Sequence, residues 1–259
     1  MFEYIVEGYE PYYRNDTSIL YKDDTFEILE NMPEQSVDMI FADPPYFLSN
    51  GGVTCQSGQM VSVDKGEWDR EPTFNGKHMF NRAWIRLCNR VLDDEGTIWI
   101  SGTLHNIYSV GAALEQEGFQ IINNITWQKT NPPPNLACKC FTHSTETVLW
   151  ARKKGAKYTF NYATMKELNG DKQMKDVWTG PLTPQSEKKF GKHPTQKPEY
   201  LLKNIILAST FERDVVLDPF CGSSTTGVVC QKLGRYYIGI DREKQYMELS
   251  KERLENENI

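Results

Sequence analysis

The tetrapeptide Asp43-Pro44-Pro45-Tyr46 joins an acid, a backbone acceptor and an aromatic ring directly after a predicted strand at 36–42. The two prolines fix φ and remove two backbone donors, so the Pro44 carbonyl stays available as an acceptor beside the Asp43 carboxylate. Tyr46 adds a face for stacking, which is worth about 1–3 kcal/mol for a nucleobase. The motif can therefore hold a planar ring that bears an amino group, although a proline turn that only ends a strand has the same composition.

A second motif, DPFCGSSTTG at 218–227, follows a short apolar run at 214–217 and precedes a predicted helix. Gly222 lets the backbone approach a ligand closely, and Asp241, 19 residues later, ends the next predicted strand, where an acid suits the paired hydroxyls of a ribose. The motif lacks the glycine pattern of dinucleotide sites and the Gly-Lys-Ser/Thr of phosphate-binding loops. These features favour a cationic nucleoside cofactor such as S-adenosylmethionine, with an ordinary β-turn-α connection as the alternative.

Both motifs depend on an alternation of strands and helices. Strands are predicted at 36–42, 97–101, 121–128, 145–151, 214–217 and 236–240, and helices at 25–31, 80–92, 107–116, 199–209, 222–233 and 244–256. This alternation predicts an α/β protein with a mostly parallel sheet, closed by a hairpin of the strands at 121–128 and 145–151. Ligands of such sheets lie beyond the carboxyl ends of the strands, where both motifs are placed. Residues 47–77 show no sustained period and predict a long loop of the kind that usually has a function.

Composition excludes several classes of protein. The chain has 259 residues, of which 39% are hydrophobic and 25% charged, so it is neither disordered nor fibrous. No stretch approaches the roughly 18 apolar residues that span a bilayer, and the first residues lack the pattern of a secretory signal. Six cysteines are too few for a disulfide scaffold, and neither they nor the four histidines have the spacing of metal ligands. We therefore expect a cytoplasmic protein with no membrane contact and no metal.

The net charge of −6 hides an asymmetry between two segments. Residues 1–50 have eleven acids and two bases, whereas residues 151–200 have eleven bases and five acids. A local basic patch can follow a phosphate backbone while the rest of the protein stays acidic. A solvated surface is the simpler alternative for such a run.

The two motifs, in this order, closely resemble the β group of amino-methylating DNA methyltransferases. Further segments resemble the same family: GTIWISG (96–102), NITWQKTNPPPN (124–135), HSTETVLWARK (143–153) and HPTQKP (193–198). The resemblance extends over nearly the whole chain and implies a single catalytic domain at 1–259. Its fold would be a circularly permuted, Rossmann-like sheet of an S-adenosylmethionine-dependent methyltransferase, mostly parallel with one antiparallel strand. It also implies a substrate loop at 47–78 and an inserted DNA target-recognition region at 154–191, which coincides with the basic segment.

More narrowly, the segments ADPPYFLSNGG, VSVDKGEWD, LHNIYSVGAALEQEGF and QMKDVWTG resemble the second adenine methyltransferase of GATC (DpnII-type) restriction–modification systems. This resemblance implies a site-specific enzyme that flips adenine out of DNA and methylates its 6-amino group within GATC, so protecting host DNA. It leaves open activity on single-stranded as well as double-stranded DNA, and a homodimer. The alternatives are cytosine-N4 methylation, methylation of RNA or a protein glutamine, a nicotinamide oxidoreductase and a catalytically silent DNA-binding module. Aspartate at 43 favours adenine, since serine is commoner there in the cytosine enzymes.

The resemblance also assigns roles to residues. The catalytic residues would be Asp43, Pro44, Pro45 and Tyr46. The cofactor-binding residues would be Asp24, Thr25, Asp43, Thr195, Gln196, Lys197, Asp218, Pro219, Phe220, Cys221, Gly222, Ser223, Ser224 and Asp241. Asp24 would contact the adenine of the cofactor, with a helix cap as the alternative. Residues 195–197 would contact the methionine end of the cofactor. The DNA-binding residues would be Lys153, Lys154, Lys157, Lys188, Lys189 and Lys192.

Ser224 stands where the family usually has glycine and is expected to weaken cofactor binding. Phe80 and Trp84 are candidates for the base pocket, although their helical spacing is more typical of core.

Overall fold

The computed structural model describes residues 2–46, 53–56, 59–62 and 73–256. The helices in these ranges are α1 (Thr25–Asn31), α2 (Phe74–Val91), α3 (Ile107–Gln116), α4 (Tyr162–Leu168), α5 (Glu199–Ser209), α6 (Thr225–Lys232) and α7 (Lys244–Asn256). The strands are β1 (Tyr13–Arg14), β2 (Ser18–Tyr21), β3 (Val37–Ala42), β4 (Val53–Gln56), β5 (Gln59–Ser62), β6 (Leu92–Gly102), β7 (Phe119–Lys129), β8 (Thr145–Lys153), β9 (Val177–Gly180), β10 (Val215–Asp218) and β11 (Tyr236–Ile240).

Nine strands form one sheet in the order β1-β2-β11-β10-β3-β6-β8-β7-β9, and β4 and β5 form a separate hairpin. Within the large sheet, β8 runs antiparallel to β6 and β7, and the short edge strand β1 runs antiparallel to β2. The other neighbouring pairs are parallel. The predicted mostly parallel α/β sheet is thereby confirmed, with β8 as the antiparallel strand in its interior.

The predicted hairpin of β7 and β8 exists, but the prediction that it closes the sheet is wrong. β8 lies between β6 and β7, and β9 pairs in parallel with the outer side of β7. β9 has only four residues and lies within the basic segment, where so short an alternation cannot be told from a loop. The edge of the sheet on this side therefore comes from the region assigned to target recognition.

The centre of the sheet is a topological switch point. β10 and β3 are parallel neighbours, with Val216 opposite Met39 and Leu217 opposite Ile40. From β10 the chain continues to β11 on one side, whereas from β3 it continues to β6 on the other. A crevice opens beyond the carboxyl ends of two such strands, because the connections leave them in opposite directions. The two motifs follow these two strands and therefore meet at one place.

Helices cover both faces of the sheet. Alternate residues of β3 enter different clusters, since Ile40 packs with α1, α2 and α3, whereas Met39 and Phe41 pack with α4, α5, α6 and α7. This is the period of two that a strand buried on both faces requires. The rigid three-layer arrangement fixes the strand ends that the motifs follow.

The segment predicted as a loop at 47–78 contains regular structure where it is described. β4 and β5 pair in antiparallel register, and α2 begins at Phe74 rather than at residue 80. Thr73 caps this helix by accepting a hydrogen bond from the Gly76 backbone at 3.0 Å. Gly76 and the polar residues around it hide the helical period in the sequence. Residues 47–52, 57–58 and 63–72 of the predicted substrate loop lie outside the described residues.

None of the described helices combines the length and the apolar character needed to cross a membrane. In the same part of the chain, no three or more histidine, cysteine, aspartate or glutamate side chains are grouped so that they could hold a metal ion.

Candidate active site

A cleft lies beyond the carboxyl ends of β3, β10 and β11. The four residues of the Asp43–Tyr46 motif line it, as do all the predicted cofactor-binding residues except Ser224. These residues come from chain segments as distant as 23–26, 193–197 and 240–243. The fold thus gathers both motifs and the HPTQKP segment around one cavity.

Two carboxyls, the buried Asp218 and the half-buried Asp241, line one half of the cleft. Asp218 ends β10, is 3% exposed and accepts hydrogen bonds from Thr226 Oγ1 at 2.6 Å and the Phe220 backbone at 3.2 Å. Asp241 follows β11 and accepts from the Gly222 backbone at 3.1 Å and from the Glu243 backbone at 2.8 Å. Each acid is therefore oriented by neutral donors rather than by a cation.

Burial raises the pKa of Asp218 to about 7, although the bond from Thr226 lowers it, and the nearby Asp43 and Asp241 raise it further. Burial also raises the pKa of Asp241 to about 6 against the backbone bonds that lower it. A ligand that brings positive charge or hydroxyl donors would relieve this cost. A phosphate would increase it, which agrees with the lack of a phosphate-binding loop in the sequence.

Three further features of this half fit S-adenosylmethionine. Gly222 has φ of +50°, and a Cβ there would lie 3.0 Å from the His193 ring, so the close turn requires glycine. Gln196 donates through its amide nitrogen to the Glu187 carbonyl at 2.7 Å, while its buried Oε1 has no hydrogen-bond partner among the described residues. Thr25 Oγ1 donates to the Pro219 carbonyl at 2.6 Å and so ties α1 to the loop after β10. The cavity thus offers acceptors to the ammonium and hydroxyl groups of that cofactor.

Asp24 lines the cleft and caps α1 at the same time. Its carboxylate accepts a hydrogen bond from the Phe26 backbone at 2.8 Å. Both sequence interpretations of this residue therefore agree with its position. The cap fixes the side chain where it faces the cavity.

Ser224 lies behind the cofactor loop rather than in the cleft. It is fully buried, its φ is +51°, and its Oγ accepts a hydrogen bond from the Tyr237 hydroxyl at 3.2 Å. The prediction that Ser224 is one of the cofactor-binding residues is wrong for its side chain, which faces Tyr237 on β11 and does not line the cleft. The departure from glycine acts on the backbone, since this φ is costly for a residue with a Cβ.

The other half of the cleft is built around Asp43, directly after β3. Tyr46, 5% exposed, donates its hydroxyl to Asp43 Oδ1 and lies 3.2 Å from Ser101 Oγ. Lys197 donates to Asp43 Oδ2 at 2.6 Å and to the Tyr46 hydroxyl at 2.9 Å. Lys197 lines the cleft, but its ammonium binds the motif aspartate instead of pointing only to the methionine end of the cofactor.

Sequence reasoning missed two charged residues behind Lys197. Glu146, near the start of β8, lies with its Oε2 3.4 Å from Lys197 Nζ. Its Oε1 lies 2.7 Å from Nζ of Lys129, the last residue of β7. Both residues fall in segments that resemble the family, but a charge at a strand end ordinarily indicates a solvated side chain. The register of β7, β8 and β6 is needed to place them at the cleft.

The six predicted DNA-binding lysines separate into two groups. Lys153 is the last residue of β8, and Lys154 and Lys157 follow it. This end of β8 lies beside the first half of β6, and Lys153 pairs with Asp94 at 3.0 Å. Because β8 runs antiparallel to β6, this group lies near the amino ends of the parallel strands, whereas Asp43 lies beyond their carboxyl ends. The other group, Lys188, Lys189 and Lys192, directly precedes the segment 193–197 that lines the cleft. Only this second group is placed beside the candidate site.

The two aromatic candidates for the base pocket also separate. Trp84 is fully buried and meets the Phe220 ring edge-on at 5.4 Å between centroids, so it belongs to the core beneath the loop. Phe80, one turn earlier on α2, lines the cleft and lies 6.2 Å from Phe220. Phe80 therefore lies where a ligand in the cleft could contact it, whereas Trp84 packs behind the Phe220 ring, which also lines the cleft.

Comparisons with known proteins agree with this geometry. The N6/N4 methyltransferase family model, described as DNA methylase, matches residues 37–252. The chain is 65% identical over 251 residues to the type II methyltransferase M2.DpnII of Streptococcus pneumoniae, covering 96% of this chain and 94% of the relative. It is 30% identical to a crystal structure of an M1.HpyAVI–SAM complex, with a TM-score of 0.68 over 92% of this chain and 98% of that one.

The PvuII cytosine-N4-specific DNA methyltransferase shares the fold, with a TM-score of 0.76 at 20% identity over 97% of this chain and 91% of that one. The family match and the first relative both extend over most of the chain. The predictions of family, fold and cofactor are confirmed. The chain belongs to the N6/N4 DNA methylase family and is a DNA methyltransferase that uses S-adenosylmethionine.

Proposed function

We propose that this enzyme methylates the 6-amino group of adenine within GATC and protects host DNA as part of a restriction–modification system. The observation that carries the proposal is the Asp-Pro-Pro-Tyr motif at the cleft, with an acid rather than serine at position 43. The high identity to M2.DpnII supports the same function, since it extends over nearly all of both chains. The segments that resemble GATC-specific enzymes support the target sequence.

Asp43 and the Pro44 carbonyl accept the two amine hydrogens of the target base. A carboxylate has about four lone-pair sites, and the bonds from Tyr46 and Lys197 occupy two of them. Asp43 thus keeps room for a further donor. Holding both hydrogens turns the amine lone pair out of the ring and stabilises the positive charge that develops on nitrogen. The methylated nitrogen then passes one of these protons to the Asp43 carboxylate and on to solvent, and the cofactor would leave as a neutral thioether.

When bound, S-adenosylmethionine supplies a methyl group activated by its sulfonium. Asp218, Asp241 and Gln196 hold the cofactor through its ammonium and hydroxyl groups. Tyr46 holds the base in line, with its ring fixed by the hydroxyl bonds to Asp43 and Lys197. Such positioning can supply about 7–11 kcal/mol of the barrier. No covalent intermediate with the protein is required.

DNA reaches the cleft past the basic region at 154–191, which we assign to target recognition within one catalytic domain at 1–259. Lys188, Lys189 and Lys192 stand beside the cleft and neutralise phosphates there. We assign the segment 47–78, which includes β4, β5 and the start of α2, to contact with the substrate. We further propose that the protein acts in the cytoplasm; the family resemblance leaves open activity on single-stranded DNA and a homodimer.

Transfer of labelled methyl groups to DNA tests the function. The enzyme is incubated with labelled S-adenosylmethionine and unmethylated DNA, single-stranded or double-stranded, with matched oligonucleotides that have or lack GATC. We expect label on adenine, only with GATC, and altered cutting by enzymes sensitive to GATC methylation. Label on cytosine would contradict the adenine assignment, and equal label without GATC would contradict the target sequence.

A further inference from the structure

Four charged side chains of alternating sign form a chain at the edge of the cleft: Lys129, Glu146, Lys197 and Asp43. Lys129 Nζ lies 2.7 Å from Glu146 Oε1, Glu146 Oε2 lies 3.4 Å from Lys197 Nζ, and Lys197 Nζ lies 2.6 Å from Asp43 Oδ2. Their side chains are 11%, 12%, 6% and 15% exposed. This charge chain links the ends of β7, β8 and β3 through the segment before α5.

Stability of the fold does not explain the charge chain. Taking four charges out of water is costly, and buried ion pairs are often no more stabilising than apolar residues of similar volume. The alternation leaves no net charge, so each ion is compensated only while all of its neighbours are present. One end of the charge chain is the aspartate that accepts the target amine in the proposed reaction.

Lys197 is shared between two acids. Its ammonium binds Asp43 Oδ2 at 2.6 Å and the Tyr46 hydroxyl at 2.9 Å, with Glu146 Oε2 3.4 Å away. Without Glu146 the ammonium would be free to turn across the Asp43 carboxylate and to take the lone pairs that the target amine needs. Glu146 attracts the ammonium from the other side, and Lys129 prevents Glu146 from turning away, because it holds the second carboxylate oxygen. The position of Lys197 between the two acids is thus set by residues that line no part of the cleft.

We infer that Glu146 is a positioning residue which, anchored by Lys129, holds the Lys197 ammonium so that Asp43 stays oriented and open to the target amine. This role rests on the proposed function, since it concerns the same acceptor. Nothing in the sequence motifs assigns it to Glu146 or Lys129.

The charges around Lys197 give this role a pH signature. Burial alone would lower the pKa of Lys197, but Asp43, Glu146 and Tyr46 together raise it well above its usual value. Burial would raise the pKa of Glu146, but Lys197 and Lys129 hold it below its usual value. Removing the charge of Glu146 therefore lets Lys197 lose its proton more easily. The alkaline limb of the rate profile should then move to lower pH.

The test uses Glu146→Gln, which keeps the shape but removes the charge. Since misplacement by about 1 Å can cost 100-fold, we expect kcat to fall by up to about 100-fold. Binding of S-adenosylhomocysteine and KM for DNA should stay close to the wild type. In Glu146→Gln the alkaline limb of the pH–rate profile should move to lower pH. Glu146→Asp should return that limb to its wild-type position and restore part of kcat.

Two controls separate positioning from folding. The double variant Glu146→Gln, Lys129→Met removes both partners of one pair, so its Tm should recover relative to the single variant, while its kcat stays low. Glu117→Gln breaks a pair of similar length, 2.7 Å from Arg82, with a side chain that is 9% exposed and outside the cleft. It should lower Tm without lowering kcat.

Recovery of kcat together with Tm in the double variant would overturn the inference, because Glu146 would then be only structural. Wild-type kcat and an unchanged pH profile in Glu146→Gln would overturn it as well. In both cases wild-type methylation of adenine in GATC would leave the proposed function intact. A wild type that transfers no methyl group to adenine would overturn the proposed function itself.

Discussion

Asp218 and Asp43 end neighbouring parallel strands, yet the two halves of the cleft treat their acids in opposite ways. Asp218 receives only neutral hydrogen bonds, and burial raises its pKa to about 7. Asp43 has a lysine on one oxygen and a tyrosine hydroxyl on the other. The half of the cleft around Asp218 and Asp241, here called the cofactor half, has carboxyls whose negative charge a cationic ligand would neutralise. The half around Asp43, here called the catalytic half, already contains the Lys197 ammonium and can receive a neutral base.

This comparison predicts that one substitution has different consequences in the two halves. Asp43→Asn keeps the shape of the side chain but removes the charge that stabilises the developing ammonium. We expect a loss of kcat of at least about 10²–10³-fold, the effect of losing one preorganised electrostatic contact. Single-turnover methyl transfer at saturating cofactor measures it, and binding of S-adenosylhomocysteine should be unchanged.

The matched variant is Asp241→Asn, in the cofactor half. Since a hydrogen bond to a charged group contributes about 1.5–3 kcal/mol, cofactor affinity should weaken roughly 10- to 150-fold, with kcat at saturation largely retained. Equal effects of the two variants on cofactor affinity would break the comparison, because both halves would then act as one binding site.

The pH dependence of cofactor binding gives a second test. The pKa values of Asp218 and Asp241 are raised to about 7 and about 6, so the free protein keeps protons there that the unfolded chain has released. Stability from these groups is therefore full below the ordinary value of 3.8 and is lost as the pH rises from there to about 6 for Asp241 and to about 7 for Asp218. A cationic ligand prefers the ionised acids, so its affinity should rise over the same window.

Calorimetric titration with S-adenosylmethionine, which has the cationic sulfonium, between pH 5.5 and pH 8 measures this window, which spans the two raised pKa values. Each carboxyl can change the affinity by at most about tenfold per pH unit. The rise in Tm that the ligand produces should grow in parallel. Asp241→Asn serves as the control, since it should remove the lower part of the window. An affinity that falls with pH would contradict the account of the cofactor half.

The same contrast shows what the sequence could and could not predict. The positions of the two motifs at strand ends follow from local patterns, because the carboxyl ends of parallel strands meet at one edge. The charge chain does not follow from such patterns. The predicted hairpin of β7 and β8 brings Lys129 and Glu146 together, but their approach to Lys197 and Asp43 requires β8 to lie between β6 and β7. The same position of β8, antiparallel to β6, carries Lys153 and Lys154 away from the cleft, and the residues of β8 do not specify which strands lie beside it.

The smallest expected effect concerns Ser224, at the back of the cofactor half. Ser224→Gly would relieve a residue at φ +51° and would remove the hydroxyl that Tyr237 donates to. A left-handed φ costs about 1–2 kcal/mol for a residue with a Cβ, and a buried hydrogen bond contributes about 0.5–1.5 kcal/mol, so the net gain in the free energy of unfolding should be at most about 1.5 kcal/mol.

Chemical denaturation of the wild type, Ser224→Gly and Ser224→Ala separates these two contributions. Ser224→Ala keeps the backbone strain but removes the hydroxyl, so it should be less stable than both other proteins. Affinity for S-adenosylhomocysteine should be the same in all three, because the side chain faces Tyr237 and lines no part of the cleft. A clear gain of affinity in Ser224→Gly alone would show that the strained backbone, rather than the carboxyls, limits cofactor binding. The difference between the two halves would then lie in loop geometry instead of charge.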